Sequence, residues 1–362
     1  MQKKIIALAI AAAFATPVVA MADVTVYGTM DGGIRHQTNN SDAAGGTTDS
    51  MKMGQYNTAR WGFKSVEDMG DGMKTNVVLE TSLAPAGVGA NTDINPAGVG
   101  TVSTTNPFGL IFDRQATIGL EGGWGKFDMG WNYTTSFSTI VTYDPFAYKY
   151  LGVAYAKTSD FARYNSLGKV QNQDRAGNLI YKNTFGGVTV QLEYDMNDAF
   201  QSRQPKAGAA RAIGVTYVGG PINVGAAYTA SETDAGQGNA ATNATVGAGY
   251  NFGDGKVSVG YAKNAVKQGV IGDNTATNMW LGASFNMSST MGVTAAYYKR
   301  ATNNGVSGVA DVESNVIMAG LTYNLSKKTQ AYFELDKTTV VGTGGAQDVL
   351  TTGTSAGIST AF

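Results

Sequence analysis

Short segments in which apolar and polar side chains alternate run through most of this chain of 362 residues. In one of the clearest, Val188, Val190 and Leu192 alternate with Thr189 and Gln191. An extended strand points successive side chains to opposite faces, so each segment predicts a strand with one apolar and one polar face. The repetition of this pattern indicates an all-β chain.

The connections between these segments alternate between short turns and longer polar loops. The short turns are predicted at Asp68–Gly72, Gly122–Gly125, Phe185–Gly187, Gly219–Pro221, Gly253–Gly255, Met287–Met291 and Ser326–Lys328. The longer loops are predicted near residues 36–53, 84–112, 134–174, 197–209, 232–241, 266–275, 302–312 and 340–352. Both termini then fall on the side of the short turns. Short turns on one side and long loops on the other are typical of outer-membrane barrels.

A soluble β-sandwich with one wet face is the alternative that alternation leaves open. Two features favour a membrane barrel. The polar faces of most segments carry charge, as a water-filled interior requires. The apolar faces carry tyrosines near the segment ends, as in the aromatic girdles at membrane interfaces: Tyr194, Tyr217, Tyr228, Tyr250 and Tyr323. Because lipid leaves the backbone groups of an open edge unsatisfied, we predict a closed, transmembrane antiparallel β-barrel of about 16 strands.

The first 22 residues have the pattern of a cleaved secretory signal peptide. Two lysines at positions 3 and 4 precede an apolar stretch over residues 5–19, and Ala-Met-Ala ends at Ala22. A membrane anchor helix is the alternative, but it needs roughly 20 apolar residues. We therefore expect the barrel domain to span residues 23–362. The chain contains no cysteine, so no disulfide is expected to hold it.

The loop over about residues 134–174 is the longest connection and contains the sequence YDPFAYKYLGVAY. A loop of this length without regular structure is uncommon and usually functional. In a closed barrel it is long enough to fold back into the lumen, where we expect it to narrow the channel.

Several motifs resemble one known family. They are DVTVYGTMDGGI at residues 23–34, ARWGFKSVEDMGDGMK at residues 59–74, RQATIGLEGGWGKFDMG at residues 114–130 and the terminal TAF. In this order and spacing they resemble the general diffusion porins of Gram-negative bacteria, in particular their beta-proteobacterial branch. The resemblance extends over essentially the whole mature chain.

The resemblance implies a homotrimer of 16-stranded barrels in the outer membrane, each a passive pore for small hydrophilic solutes and ions. It implies that the third long loop enters the lumen and that the second, Ala84–Phe112, reaches the neighbouring subunit. Phe362 matches the C-terminal aromatic residue that the family presents to the barrel-assembly machinery. Outer-membrane lipid and lipopolysaccharide are the expected surroundings, and no cofactor, metal or nucleic-acid partner is expected.

In this family, basic residues on the barrel wall face acidic residues on the inserted loop. The wall positions that match are Arg60, Arg114 and Arg175, with Lys64 on the face of Arg60 by parity. The loop candidates are Asp144, Asp160 and Tyr143. One departure is Trp131, which follows Gly130 where the family often has arginine, so that one expected wall charge is missing. Opposed charges in a narrow channel with low-dielectric walls create a field that favours small polar solutes.

Other functions find weaker support in the sequence. The only histidine, His36, ends the first strand, whereas acyl-transfer triads use histidine as their base. The acidic turn at Asp68–Gly72 lacks the ligand order of a calcium-binding EF-hand loop, and Gly247-x-Gly249 lacks the dinucleotide spacing. A barrel with an enzymatic or structural role thus remains a remote alternative.

A channel that prefers one solute class, such as sugars, phosphate or aromatic acids, is the nearer alternative. The inserted loop is rich in aromatic residues, namely Tyr143, Phe146, Tyr148, Tyr150 and Tyr155. These rings either provide a stacking surface for solutes or pack the loop against the wall.

Overall fold

The computed structural model describes residues 23–39, 46–83, 112–149, 175–195, 209–234, 239–267, 273–303, 305, 311–342 and 349–362. Seventeen strands lie in these ranges: β1 Asp23–Asn39, β2 Thr47–Met53, β3 Arg60–Gly70, β4 Met73–Ser82, β5 Gln115–Gly122, β6 Gly125–Tyr133, β7 Arg175–Phe185, β8 Val188–Asp195, β9 Ala210–Gly219, β10 Ile222–Asp234, β11 Asn239–Phe252, β12 Gly255–Lys267, β13 Asn274–Asn286, β14 Met291–Asn303, β15 Val312–Asn324, β16 Thr329–Gly342 and β17 Val349–Ala361.

The strands form one closed antiparallel barrel. From β3 to β17 each strand pairs with the next. β1 closes the ring by pairing with β17, from Thr29 opposite Ala361 to Asn39 opposite Thr351. The predicted transmembrane antiparallel barrel is thereby confirmed.

The barrel has sixteen strand positions because β2 and β3 share one of them. β1 pairs with β3 along its first half and with β2 along its second half. Between these two strands, residues 54–59 leave the sheet, and we call them the inner bend. Gln55, Tyr56 and Ala59 are buried there, and the N–H of Tyr56 donates to the Asp31 carboxylate at 3.0 Å. The predicted count of sixteen is confirmed, with one interruption that alternation did not reveal.

Every short turn lies where the sequence predicts it, at residues 71–72, 123–124, 186–187, 220–221, 253–254, 287–290 and 325–328. The strands, however, extend further into the opposite connections than predicted. β1 and β2 cover most of the predicted loop 36–53, where His36 pairs with Asp49. A hairpin that projects into water needs no apolar face, so alternation does not mark its end. The predicted signal peptide and the predicted loop Ala84–Phe112, except Phe112, lie outside the described residues.

The outer face of the barrel is apolar and the inner face polar. On β9 the exposed Ile213, Val215 and Tyr217 alternate with the buried Ala212 and with Gly214. The tyrosines predicted for the interfacial girdles are all exposed: Tyr194, Tyr217, Tyr228, Tyr250 and Tyr323. This face suits lipid, because apolar side chains that would be costly in water are favourable there.

The inserted loop begins with the only regular helix among the residues described, α1 (Thr135–Ile140), followed by a 3-10 turn over Val141–Tyr143. No described helix has the length and apolar character that crossing a bilayer requires.

Candidate functional site

The first part of the third long loop, Thr134–Lys149, lies inside the barrel. The side chain of Thr134 caps α1 by accepting a hydrogen bond from the N–H of Phe137. The N–H of Thr135 donates to the Glu193 carboxylate at 2.6 Å, and Gln191 donates to the Thr135 hydroxyl at 2.9 Å. The predicted insertion of this loop is therefore confirmed for its described part.

Glycines on the inner face of β9–β13 make room for the loop. A Cβ added at Gly225 would lie 2.5 Å from the Tyr143 hydroxyl, and one at Gly282 would lie 2.5 Å from Pro145. A Cβ at Gly247 would meet the ring of Tyr143 even more closely. We call Gly225, Gly247 and Gly282 the glycine seat. Its members lack side chains because the loop occupies their space.

Asp144 and Tyr143 anchor the loop to the far wall instead of facing the arginines. The Tyr298 hydroxyl donates to Asp144 Oδ1 at 2.5 Å, and the N–H of Tyr148 donates to Oδ2 at 2.6 Å. The indole of Trp280 donates to the Tyr143 carbonyl at 2.8 Å. Only 3% of Asp144 and 1% of Tyr143 is exposed. Burial raises the pKa of Asp144 to about 6.

The structure brings Arg60 and Arg114 together around one carboxylate. Arg114 Nε lies 2.6 Å from Glu80 Oε1, and Arg60 Nε lies 3.6 Å from Glu80 Oε2. The Tyr27 hydroxyl donates to the same Oε2 at 3.1 Å. Glu80 was not a sequence candidate, although it shares the inward parity of Lys74 and Asn76 on β4. That parity was the signal that could have identified it.

Arg175 joins this cluster through Tyr133. The Tyr133 hydroxyl accepts hydrogen bonds from Arg175 at 2.9 Å and Arg114 at 3.1 Å. The Arg175 guanidinium also lies 4.5 Å from the centroid of the Tyr133 ring. One tyrosine thus holds two arginines close together, and both were predicted wall residues.

Lys64 reaches this cluster through Tyr27, whose hydroxyl donates to Glu80. It is exposed, and its Nζ lies 5.9 Å from the ring centroid of Tyr27. It lies four positions after Arg60 along the strand, on the same face. Asp160, the second acidic loop candidate, lies outside the described residues.

Lys149 brings a fourth cation to the constriction from the loop itself. Its Nζ donates to the Tyr56 hydroxyl at 3.2 Å and lies 5.0 Å from the centroid of the Tyr56 ring. Burial, together with the nearby Arg60, lowers the pKa of Lys149. Lys149 was not among the predicted site residues, because its contact with the inner bend leaves no local pattern in the sequence.

Trp131 and Asp113 fix the chain beside Arg114. The indole of Trp131 donates to the Asp113 carbonyl at 2.8 Å. The Asp113 carboxylate accepts from the Thr81 hydroxyl at 3.1 Å and from the N–H of Ser82 at 2.7 Å. Trp131, which stands where the family often has arginine, thus helps to position the wall residue Arg114.

Arg35 provides a contrast, since its charge is neutralised in place. It makes two hydrogen bonds to Asp336, of 2.6 and 2.9 Å, and one to the Ser355 hydroxyl at 3.0 Å. Only 4% of the Arg35 side chain and 6% of that of Asp336 is exposed. Such a bidentate pair contributes little field to the lumen.

The chain matches known proteins of one kind. The family model described as Gram-negative porin matches residues 7–343. An outer membrane porin protein of Bordetella pertussis is 27% identical over 280 residues, which cover 70% of this chain and 66% of the relative, slightly under two thirds of its length.

Solved structures share the fold. The anion-selective porin from Comamonas acidovorans superposes with a TM-score of 0.75 at 23% identity, covering 94% of this chain and all of that one. The trimer form of OmpT, an outer membrane protein of Vibrio cholerae, superposes with a TM-score of 0.64 at 14% identity, covering 94% of this chain and 99% of that one. With the closed barrel, the inserted loop and the family match taken together, this chain belongs to the Gram-negative porins of the outer membrane.

Proposed function

We propose that the protein lets small hydrophilic solutes and ions diffuse passively across the outer membrane, and that its constriction favours anions. The observation that carries the preference is the charge balance at the constriction. Arg60 and Arg114 lie around Glu80 there, Arg175 joins them through Tyr133, and Lys149 adds a cation from the loop at Tyr56.

In the described part of the loop, the acid expected to oppose these cations does not face them. Asp144, the acid that the family resemblance opposes to the wall arginines, is buried against Tyr298 on the other side of the lumen. Low-dielectric walls weaken screening in a narrow channel, so the excess positive charge raises the local concentration of anions. The Comamonas porin described as anion-selective supports the same sign.

The test is the zero-current potential across a planar bilayer that separates two KCl concentrations. We expect the sign of a chloride-preferring channel. The Arg60→Gln variant should move the potential toward the potassium side. Arg211→Gln removes the same charge from the exposed outer end of β9 and serves as the matched control. A wild-type potential of cation-selective sign would refute the proposed preference.

A homotrimer is the proposed assembly, and a channel without enzymatic activity is the proposed class. The trimer form of the Vibrio protein supports the first, and the family match supports the second. We expect conductance to appear in three equal steps per insertion.

The same proposal includes cleavage after Ala22, contact with lipopolysaccharide, and recognition of Phe362 by the barrel-assembly machinery. Phe362 extends the β1–β17 seam through its N–H, which donates to the Gly28 carbonyl at 3.1 Å.

A further inference from the structure

Three aromatic rings form a continuous strip beside the arginines. Tyr133 stacks on Phe137 with ring centroids 4.9 Å apart and planes 12° from parallel. Phe137 meets Tyr148 edge to face at 4.8 Å. We call these three residues the aromatic strip. It runs from the end of β6 across α1 to the returning part of the loop.

Tyr143 and Phe146 hold the loop to the wall, since they are 1% and 5% exposed and pack in the lumenal cluster with Trp280 and Tyr298. Tyr148 of the aromatic strip also packs against this cluster but is only partly buried. The three rings of the strip each keep partial exposure to the lumen. They are therefore placed to meet a solute, whereas Tyr143 and Phe146 are not.

Cationic donors border the strip at one end. The Tyr133 hydroxyl, which accepts from Arg114 and Arg175, lies at the junction between rings and guanidinium groups. A guanidinium presents a planar fork of donors that matches the two oxygens of a carboxylate. Aromatic rings attract other rings in stacked or edge-to-face arrangements beyond simple area burial.

We infer that the constriction binds aromatic carboxylates in transit, with the solute ring on the aromatic strip and its carboxylate at Arg114 and Arg175. This inference rests on the proposed anion preference and adds a solute class to it. A sugar could stack on the rings but has no negative charge to pair with the cations. Inorganic phosphate could pair with the cations but has no ring to stack on the aromatic strip.

The test compares benzoate with cyclohexanecarboxylate as blockers of chloride current through the wild-type channel. The two anions carry the same charge on rings of similar size, and only benzoate is aromatic. Mere apolar contact would favour cyclohexanecarboxylate, which is the more apolar of the two. We expect a half-blocking concentration for benzoate that is roughly 2- to 12-fold lower, the factor expected for an aromatic pair.

The variant carrying Phe137→Leu and Tyr148→Leu keeps apolar side chains but removes two rings. The ratio of the half-blocking concentration of cyclohexanecarboxylate to that of benzoate should fall to one or below, because only apolar contact remains without ring stacking. Phe333→Leu, on the exposed outer face, makes the same change away from the lumen and should leave the ratio unaltered.

Equal blocking of the wild type by both anions would overturn the inference, whatever the variants do. If the wild type still prefers chloride in a KCl gradient, the proposed anion preference stands and only the aromatic subsite fails. If chloride preference is absent, the proposed function fails first. A ratio that persists in the double variant would also overturn the inference, because the discrimination would then arise elsewhere.

Discussion

The Nζ of Lys149 lies 3.2 Å from the hydroxyl of Tyr56, so the third loop touches the inner bend across the lumen. Tyr56 is in turn stacked on Tyr332 of β16, with ring centroids 4.8 Å apart. The channel is thus narrowed from two sides, by a long loop and by a short interruption of one strand.

Tyr56→Ala should widen the channel. Tyr56 is 7% exposed and stacks on a wall residue, so its loss removes bulk from the narrowest region and releases Lys149. Truncation of a buried aromatic residue costs about 3–5 kcal/mol, which a large barrel can tolerate. We expect a higher single-channel conductance and faster liposome swelling with larger sugars. The lipid-facing Phe333→Ala should change neither, and unchanged conductance of Tyr56→Ala would show that the inner bend does not limit flow.

Arg114→Gln and Arg60→Gln should differ in stability although both remove a wall charge. Arg114 is bound to the buried Glu80 at 2.6 Å, whereas Arg60 lies 3.6 Å from it. Removal of one partner of a buried ion pair costs about 3–5 kcal/mol because the other charge stays buried. We expect Arg114→Gln to lower the unfolding temperature clearly and Arg60→Gln to lower it little.

The second variant needed for this test is Arg114→Gln combined with Glu80→Gln. It should recover most of the lost thermal stability, because no uncompensated buried carboxylate remains and Arg60, the other cation near Glu80, has a side chain that is 27% exposed. If the double variant melts at the temperature of Arg114→Gln alone, Glu80 is not the partner that matters.

Docking of the third loop should depend on pH through Asp144. Burial raises the pKa of Asp144 from 3.8 to about 6, so the docked loop binds this proton more tightly than a released loop does. Docking is therefore most favourable below pH 3.8 and weakens as pH rises through about 6, by up to about 3 kcal/mol. Lys256 opposes this trend, since its attraction favours the charged carboxylate.

Current fluctuations of single channels report this docking. We expect them to be more frequent at pH 7.5 than at pH 4.5 in the wild type. Asp144→Asn should remove the difference, whereas Asp49→Asn, an exposed carboxylate on β2, should retain it. The same pH dependence in Asp144→Asn and wild type would assign the effect to another group.

Gly247→Ala should disturb the loop and Gly177→Ala should not. An added Cβ at Gly247 would overlap the ring of Tyr143, whereas one at Gly177 would meet no atom within 4 Å. Overpacking typically costs about 1–3 kcal/mol. We expect Gly247→Ala to lower the unfolding temperature and to increase current fluctuations. If both variants behave alike, the glycine seat does not constrain the loop.

The sequence predicted the barrel and its turns well because lipid and water impose opposite requirements on the two faces of each strand. This signal is seen on β9 in Ile213, Val215 and Tyr217. It can be read from the local sequence alone, without knowing which strands lie beside it. The inner bend gave no such signal. Its residues are buried by contacts with Asp31 and Tyr332, which are distant in the chain, and local alternation contains no information about them.

The candidate site was predicted only in part, because the orientation of a charged side chain depends on contacts that are distant in the chain. Parity places Arg60 and Glu80 on the inner face, but whether a charge points to the lumen or into the wall depends on its partner. Asp144 has a hydroxyl donor at Tyr298 and a backbone donor at Tyr148, so it turns toward the wall. The family resemblance supplied the position of this acid, and the tertiary contacts determine its orientation.

The division of one barrel position between β2 and β3 has a consequence for how such a channel can vary. β2 and β3 are each held in register by their own pairing with β1. β2 pairs with Gly32–Thr38 of β1, and β3 pairs with Asp23–Thr29 of β1. Residues can therefore be inserted or deleted in the inner bend without shifting any strand of the lipid-facing wall. The width of the channel can therefore change at the inner bend while the surrounding strands keep their positions.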